Sequence, residues 1–403
     1  MKPYDLFRIL DRWIGIPLCL FFSLLVPLKR AWLYFFPKNL PISPKILVIK
    51  LVEMGAVVNA YPFFKKIKEE FPSAEIYILT FSKNLEIFEL FKESINIKKI
   101  ITISEEGFIP MLIDSIRALW LLSYLRVDVT VDLEFFARAS ALLTFFSGAP
   151  KTVGFYAYGF EGLYRGNFLT HRVSYNPLVH TAVNYLSLAE NLRTPFKSSP
   201  EVDLFIDKSS LVFPAYHSVE EIRRSLDPFK IPPHKRLFLM NTGEGNIPLR
   251  EWPLSNFKIV AEAILKEEKN VLLLIGTKDA RPKAEELMGR LKHERMLNYC
   301  GKTNLKQLME IFLMADTLIA NDGGLGHMAM LTPIKKYILY GPESPQVFSP
   351  LGSNTHVFYS HWPCSPCLSV LNHRNSLCRN NKCLQAIDPV HVIEKLDLKD
   401  RGV

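Results

Sequence analysis

Short runs of apolar residues, each followed by a small-residue turn and then an amphipathic stretch, recur along this chain and narrow its fold more than any other feature. The first is Ile46-Leu47-Val48-Ile49. A strand that is apolar on both faces has to be covered on both, the condition met by a parallel sheet with helices against each side. The turn Val52-Glu53-Met54-Gly55 comes next, then a predicted helix over Ala56–Phe71 and a strand over Glu75–Thr80, which together make a β-α-β unit. Strands are predicted at Lys99–Ile103, Val127–Leu133 and Thr152–Phe155, with helices at Met111–Leu125 and Ala139–Phe146 between them. Alternation of this kind specifies a doubly wound α/β domain.

Proline, serine and charge thicken between Ser198 and Pro233 around a predicted helix at Val219–Leu226, and then a second alternating series begins. Strands are predicted at Leu237–Asn241, Val271–Gly276, Ala315–Ala320 and Lys336–Tyr340, and helices at Pro253–Glu267, Ala280–Leu291 and Leu305–Met314. With 403 residues, 48% of them hydrophobic, the chain can bury two such cores. The expected division is 1–44, 45–225 and 226–403: a hydrophobic and basic leading segment, then two Rossmann-like α/β domains. The second ends in a cysteine-containing tail.

The strand ends of the second half hold most of the candidate chemistry. Asp322-Gly323-Gly324-Leu325-Gly326-His327 joins a strand to a helix, and such a turn aims backbone N–H groups at one point, which suits a phosphate or diphosphate. Asp322 as a helix cap with turn glycines and a packed His327 is the plainer alternative. Thr242-Gly243-Glu244-Gly245 follows another strand, at the carboxyl edge where α/β sheets bind ligands, with Arg250 the nearest fixed cation. Lys278 and Asp279 end a third strand, where a carboxylate could hold ribose hydroxyls. No G-x-G-x-x-G follows the first strand, which argues against a dinucleotide oxidoreductase.

A net charge of +9 favours phosphate-bearing or anionic partners, yet no basic run with interleaved aromatics marks a nucleic-acid binder. Trp13 to Leu28 is uncharged, flanked by Lys2, Arg8 and Arg12 before and Lys29 and Arg30 after. As a helix its sixteen residues reach roughly 24 Å, short of a hydrocarbon core of about 30 Å. The bulky residues that follow do not resemble a signal-cleavage site. A segment that dips into the membrane or lies in its interface is expected, with a helix packed on the protein itself as the alternative. Cys364-x2-Cys367, Cys378 and Cys383 fall within twenty residues, so a structural zinc site and unliganded thiols both stand open. Disulfides are disfavoured for a cytoplasmic enzyme.

Five stretches carry a resemblance to a known family. The segment from Lys45 to Pro72, Val131-Asp132-Leu133-Glu134 through Gly154-Phe155, Asn241 to Pro253, Asn321 to Ala329, and Tyr340 to Gly352 together resemble the heptosyltransferases, glycosyltransferase family nine, which have the two-lobed GT-B fold. The resemblance covers about Lys45 to Val392 and implies two Rossmann-like domains facing across a cleft. It implies inverting transfer of heptose or a related sugar from a nucleotide-diphosphate donor, ADP-heptose above all, to a lipopolysaccharide-core or other lipid-linked saccharide, with no metal or other cofactor in catalysis. Asp322, Gly323, Gly324, Leu325, Gly326 and His327 would hold the donor's diphosphate and sugar. Thr242, Gly243, Glu244, Gly245 and Arg250 would contact phosphate, and Lys278 or Asp279 the ribose. Lys50 and Gly55 would lie on the acceptor side. The setting implied is cytoplasmic, peripheral or monotopic on the inner membrane.

The chain departs from that pattern at one place. Where the family has Gly-Asp in the first turn, with the Asp as general base, this chain has Gly55-Ala56. Glu53 and Glu134 are the candidate replacements. The departure leaves open a transferase with another nucleotide sugar and acceptor, or a catalytically silent nucleotide-sugar-binding membrane protein.

Overall fold

A computed structural model describes residues 11–35, 39–156, 164–192, 236–243 and 247–398. The expected helix at 219–226 and the proline-rich boundary lie outside them. Two compact units divide the chain, Met1–Ile206 and Asp207–Val403.

The first unit opens with two helices, α1 (Gly15–Ser23) and α2 (Val26–Phe35). Then come β1 (Lys45–Ile49), α3 (Met54–Asn59), α4 (Tyr61–Glu70), β2 (Glu75–Phe81), α5 (Leu85–Phe91), β3 (Ile97–Ile103) and α6 (Phe108–Leu125). β4 (Val129–Asp132), α7 (Arg138–Phe146), β5 (Lys151–Tyr156), β6 (His171–Ser174) and α8 (Thr181–Glu190) complete it. The strand order is β3-β2-β1-β4-β5-β6, all parallel. Ile46 to Ile49 are fully buried, as an uninterrupted apolar strand requires. Leu47, Tyr77 and Ile101 turn to one face, where Ala118 and Leu122 of α6 and Leu143 of α7 cover them. The helix expected over 56–71 is two helices, because Pro62 lacks an N–H and opens α4.

The uncharged leading run is likewise divided. Its helices meet at a 41° bend and pack one side on the protein, where Cys19 and Val26 are buried against Ala141 and Phe168. Gly15 permits the approach, since a Cβ there would lie 2.9 Å from Cβ of Arg138. The opposite side stays exposed, from Trp13 through Phe21 and Leu28 to Phe35. The packing on the protein set out above as the alternative is present, and it leaves an apolar side exposed.

The second unit comprises β7 (Arg236–Asn241), α9 (Leu254–Leu265), β8 (Asn270–Leu274), α10 (Arg281–Leu291), β9 (Met296–Asn298), α11 (Leu305–Met314) and β10 (Thr317–Asn321). α12 (Gly324–Ala329), β11 (Lys335–Tyr340), α13 (Pro345–Phe348), β12 (Thr355–Tyr359), α14 (Lys382–Gln385) and α15 (Pro389–Lys395) follow. Its parallel sheet has the order β12-β11-β10-β7-β8-β9. Phe238, Met240, Leu272 and Ile319 share a core with Trp252 and Phe257 before and on α9. Each unit is thus the doubly wound parallel α/β domain expected.

In each sheet the connections run outward in both directions from a pair of central strands, β1 and β4 in the first, β7 and β10 in the second. Chain leaving two such strands diverges and opens a crevice at their carboxyl ends. In the first unit that end is tied by buried charge. The Arg165 guanidinium pairs with the Asp132 carboxylate and donates to the carbonyls of Glu134 and Phe135 at 2.9 and 2.8 Å. Arg165→Met leaves Asp132 buried opposite no cation, so the free energy of unfolding in urea is expected to fall by about 3 kcal/mol. The double variant with Asp132→Asn should recover part of the loss.

Candidate functional site

Chain leaving the central strands of the second unit carries several of the residues singled out above. β7 ends at Asn241 and leads into Thr242 and Gly243, both buried, while β10 ends at Asn321 and leads into Asp322 and Gly323. Asn321 fixes the turn by accepting from the Trp252 N–H at 2.8 Å, and Asn241 donates to the Ile275 carbonyl at 3.0 Å. Arg250, in the turn before α9, bridges chain leaving β10 and β11, with Nε 3.5 Å from Oδ2 of Asp322 and its guanidinium paired with Glu343. A second guanidinium, that of Arg374, meets the same Glu343 carboxylate at 2.8 Å and lies over the Phe348 ring. The Tyr340 hydroxyl donates to the Phe348 carbonyl at 2.9 Å.

This cluster has two carboxylates and two guanidiniums, so its formal charges cancel. The side chains of Asp322 and Glu343 are 3% and 2% exposed, those of Arg250 and Arg374 13% and 15%. The two arginine side chains are thus the more accessible members of the cluster. Burial pushes the Glu343 carboxyl up to about 7, although Arg250 pulls the other way. Burial raises Asp322 as well, again against Arg250, and raises the Tyr340 hydroxyl well above its usual range. An incoming anion would meet two fixed guanidiniums, the residue type suited to bidentate contact with phosphate oxygens.

The Gly-rich turn has several roles. Gly324 is exposed with open space around its Cα, and Leu325 is half-buried. Amides of a first helical turn have no partner within the helix, so those of α12 can serve a ligand. With six residues α12 adds little dipole, and the N–H groups themselves matter more. Gly326 is a packing glycine: a Cβ there would lie 3.0 Å from Cδ1 of Ile338. His327 is buried inside the unit. Lys278 and Asp279 are exposed beyond β8, where Lys278 lies across Gly301. Glu244 and Gly245 lie outside the described residues.

The first unit holds the two candidate bases in different states. Oε1 of Glu134 accepts from Lys50 Nζ at 2.8 Å and from the backbone N–H groups of Leu51 and Val52 at 2.7 and 3.0 Å. Both side chains are almost wholly enclosed. Glu134 is thus a clamp on the turn after β1, and Lys50, expected to offer charge on the acceptor side, neutralises it internally. Glu53 is half-buried, at the mouth of the same turn, with a φ of 68°. A left-handed backbone is unfavourable for a non-glycine residue and persists only where surrounding structure enforces it, a pattern concentrated at functional sites. Gly55 and Ala56 are buried in α3.

Glu343, Tyr340 and Arg374 were not singled out from sequence. The first two sit in the Tyr340-Gly341-Pro342-Glu343 run already quoted, where an acid after a strand was a usable signal. Arg374 had none, for it arrives through the long loop after β12. That loop also holds Cys364, exposed, and Cys367 and Cys378, half-buried, while Cys383 is buried in α14. Among the described residues no group of three or more His, Cys, Asp or Glu side chains is arranged to hold a metal ion.

The model of the family described as glycosyltransferase family 9 (heptosyltransferase) matches residues 128–377, which is 250 of the 403. Lipooligosaccharide heptosyltransferase 2 of Haemophilus influenzae is 31% identical over 113 residues, 27% of this chain and 32% of that protein. The curated relatives are matched over 31% to 61% of their own length. Among solved structures, E. coli ADP-heptose LPS heptosyltransferase II superposes with a TM-score of 0.66 at 19% identity, covering 87% of this chain and 96% of that one. The E. coli heptosyltransferase WaaC, solved with ADP, superposes with a TM-score of 0.61 at 14% identity over 87% and 98%. Likeness at this identity establishes a shared fold.

Glu343 makes the cluster's electrostatics measurable. Its folded value lies above the ordinary 4.5, at about 7, so the folded state keeps a proton that the unfolded chain gives up. The stability this contributes is whole below about 4.5 and disappears as pH rises through about 7. Glu343→Gln should remove that slope, and the fall in unfolding free energy between about pH 5 and about pH 8 should shrink by on the order of 2 kcal/mol. Urea titrations across that range check it.

Proposed function

The chain belongs to glycosyltransferase family 9, the heptosyltransferases, and from that premise we propose that it transfers heptose or a related sugar from an ADP-sugar to a lipid-linked saccharide of the lipopolysaccharide core. The observation that carries the reading is the cluster of Arg250 and Arg374 on Asp322 and Glu343, built from chain that follows the neighbouring strands β7, β10, β11 and β12 of the second sheet. The donor's diphosphate would sit against those guanidiniums and the N–H groups opening α12, with Thr242 and Gly243 beside it and Lys278 or Asp279 toward the ribose.

An acceptor hydroxyl attacks the sugar's anomeric carbon from the face opposite the diphosphate. The new C–O bond forms as the bond to the phosphate oxygen breaks, configuration inverts, and ADP carries away the electron pair. Fixed donors already in place stabilise the negative charge that develops on the leaving diphosphate, and they need no reorganisation at that moment. Glu53 takes the hydroxyl proton, in place of the aspartate that the family pattern has where this chain has Ala56. The reaction uses no metal in this proposal, and the enzyme works at the cytoplasmic face of the inner membrane, where its acceptor is held.

Ala56 also supports a second reading. A chain without that aspartate could retain nucleotide-sugar binding and have lost turnover.

Release of ADP by the purified full chain, given ADP-heptose and a lipopolysaccharide acceptor lacking core heptose, decides between them. The transferase reading predicts turnover that survives a chelator. Glu53→Gln should lower it by about 10² to 10⁴ with ADP affinity unchanged. Undiminished turnover in Glu53→Gln would remove Glu53 as the base, and ADP binding with no turnover of any nucleotide sugar would establish the silent reading.

A further inference from the structure

Helix α6 is apolar on both sides. Ala118 and Leu122 face the sheet and are buried, and Met111, Leu119 and Leu125 pack partly against the same core. On the other side Ile109, Leu112, Ile116, Trp120 and Tyr124 recur at helical spacing and stand exposed, Trp120 by 74% and Tyr124 by 79%. Those two rings alone expose on the order of 300 Å², already the size of the largest apolar patch on many soluble monomers, roughly 300–600 Å².

The helix covers the same face of the first sheet as α7, and α1 packs on α7 through Cys19 and Phe22. α1 is therefore packed on a helix that shares its face of the sheet with α6. Cations border both surfaces: Arg126, Arg12 and Arg30 are exposed. The nearby acids are largely neutralised. Asp114 pairs with Arg117 at 3.3 Å, and Asp11 with Arg138 at 3.1 Å. Glu106 remains exposed before the helix.

We propose that α6 is a second membrane-contact helix, which together with α1 and α2 seats the first unit on an anionic lipid bilayer. Its length and composition would suit a span, but its inner face is built into the sheet core, and Asp114 accepts from the Ser104 N–H at 3.0 Å. The helix therefore lies in the interface with its outer stripe among the upper acyl chains. Trp120 and Tyr124 have the amphipathic rings favoured at that depth, and the bordering arginines meet anionic headgroups. This contact extends the proposed function without depending on which sugar is transferred.

Flotation of the full chain with vesicles, in the absence of donor and acceptor, tests it. The chain should float with vesicles of three parts phosphatidylethanolamine to one part phosphatidylglycerol, and less with pure phosphatidylcholine. The Ile116→Gln, Trp120→Gln, Tyr124→Gln triple variant alters only exposed side chains, so its thermal midpoint should be unchanged while its partitioning falls about tenfold or more. Brominated lipid should quench wild-type fluorescence more than that of Trp120→Phe. Equal flotation of wild type and triple variant would overturn the proposal. So would a wild-type dimer in light scattering that the triple variant converts to monomer without any vesicle binding, since the stripe would then be a subunit interface.

Discussion

A parallel strand buried on both faces can place polar chemistry only at its ends, and both units of this protein are organised by that constraint. Ile46–Ile49 and Phe238–Met240 are fully buried, and the polar residues that matter begin within one or two positions of their carboxyl ends. Helices alternate from face to face to cover such strands, so the chain diverges from β1 and β4 in one unit and from β7 and β10 in the other. The crevice at each divergence follows from the covering requirement and needs no loop of special shape.

The two units fill their crevices with the same kind of charge and put it to different ends. In the first, Lys50, Glu134, Asp132 and Arg165 satisfy one another in the interior, and the Thr80 hydroxyl and Asn84 amide hold the carbonyls of Lys50 and Leu51 at 2.6 and 2.7 Å. Removing solvent from so many charges is tolerable only because each has a partner. In the second unit the carboxylates are the more deeply buried members and the arginine side chains are somewhat more exposed. A cluster ordered that way holds its cations in place before any ligand arrives, which lowers the ordering cost of binding an anion.

The strands were the most readable part of the sequence, since an uninterrupted apolar run has few other fates; β7 and β11 fall within one residue of expectation. α11 matches end to end, and the Asn304–Gln307 capping box that starts it is a local signal. β6, β9 and β12 went unpredicted because three to five residues of mixed polarity give no period. The Gly-rich turns of the second unit were legible because glycine and small residues at a strand end are local facts. The roles of Lys50, Glu134 and Arg374 were not, since each depends on a partner far away in sequence, at 84 residues for Lys50 and Glu134. The cysteines suggested a metal by spacing alone; their loop also delivers Arg374 to Glu343, which spacing does not encode.

The proposed transfer depends on the guanidiniums of the second crevice receiving a nucleotide diphosphate. Calorimetric titration of the full chain with ADP, repeated with Arg250→Met after confirming that the variant is folded, tests this most directly. The account predicts saturable binding by the wild type that weakens about tenfold or more in Arg250→Met, the loss expected for one charge-assisted phosphate contact. A folded wild type that binds no ADP, or an Arg250→Met variant that binds it equally well, would contradict the account.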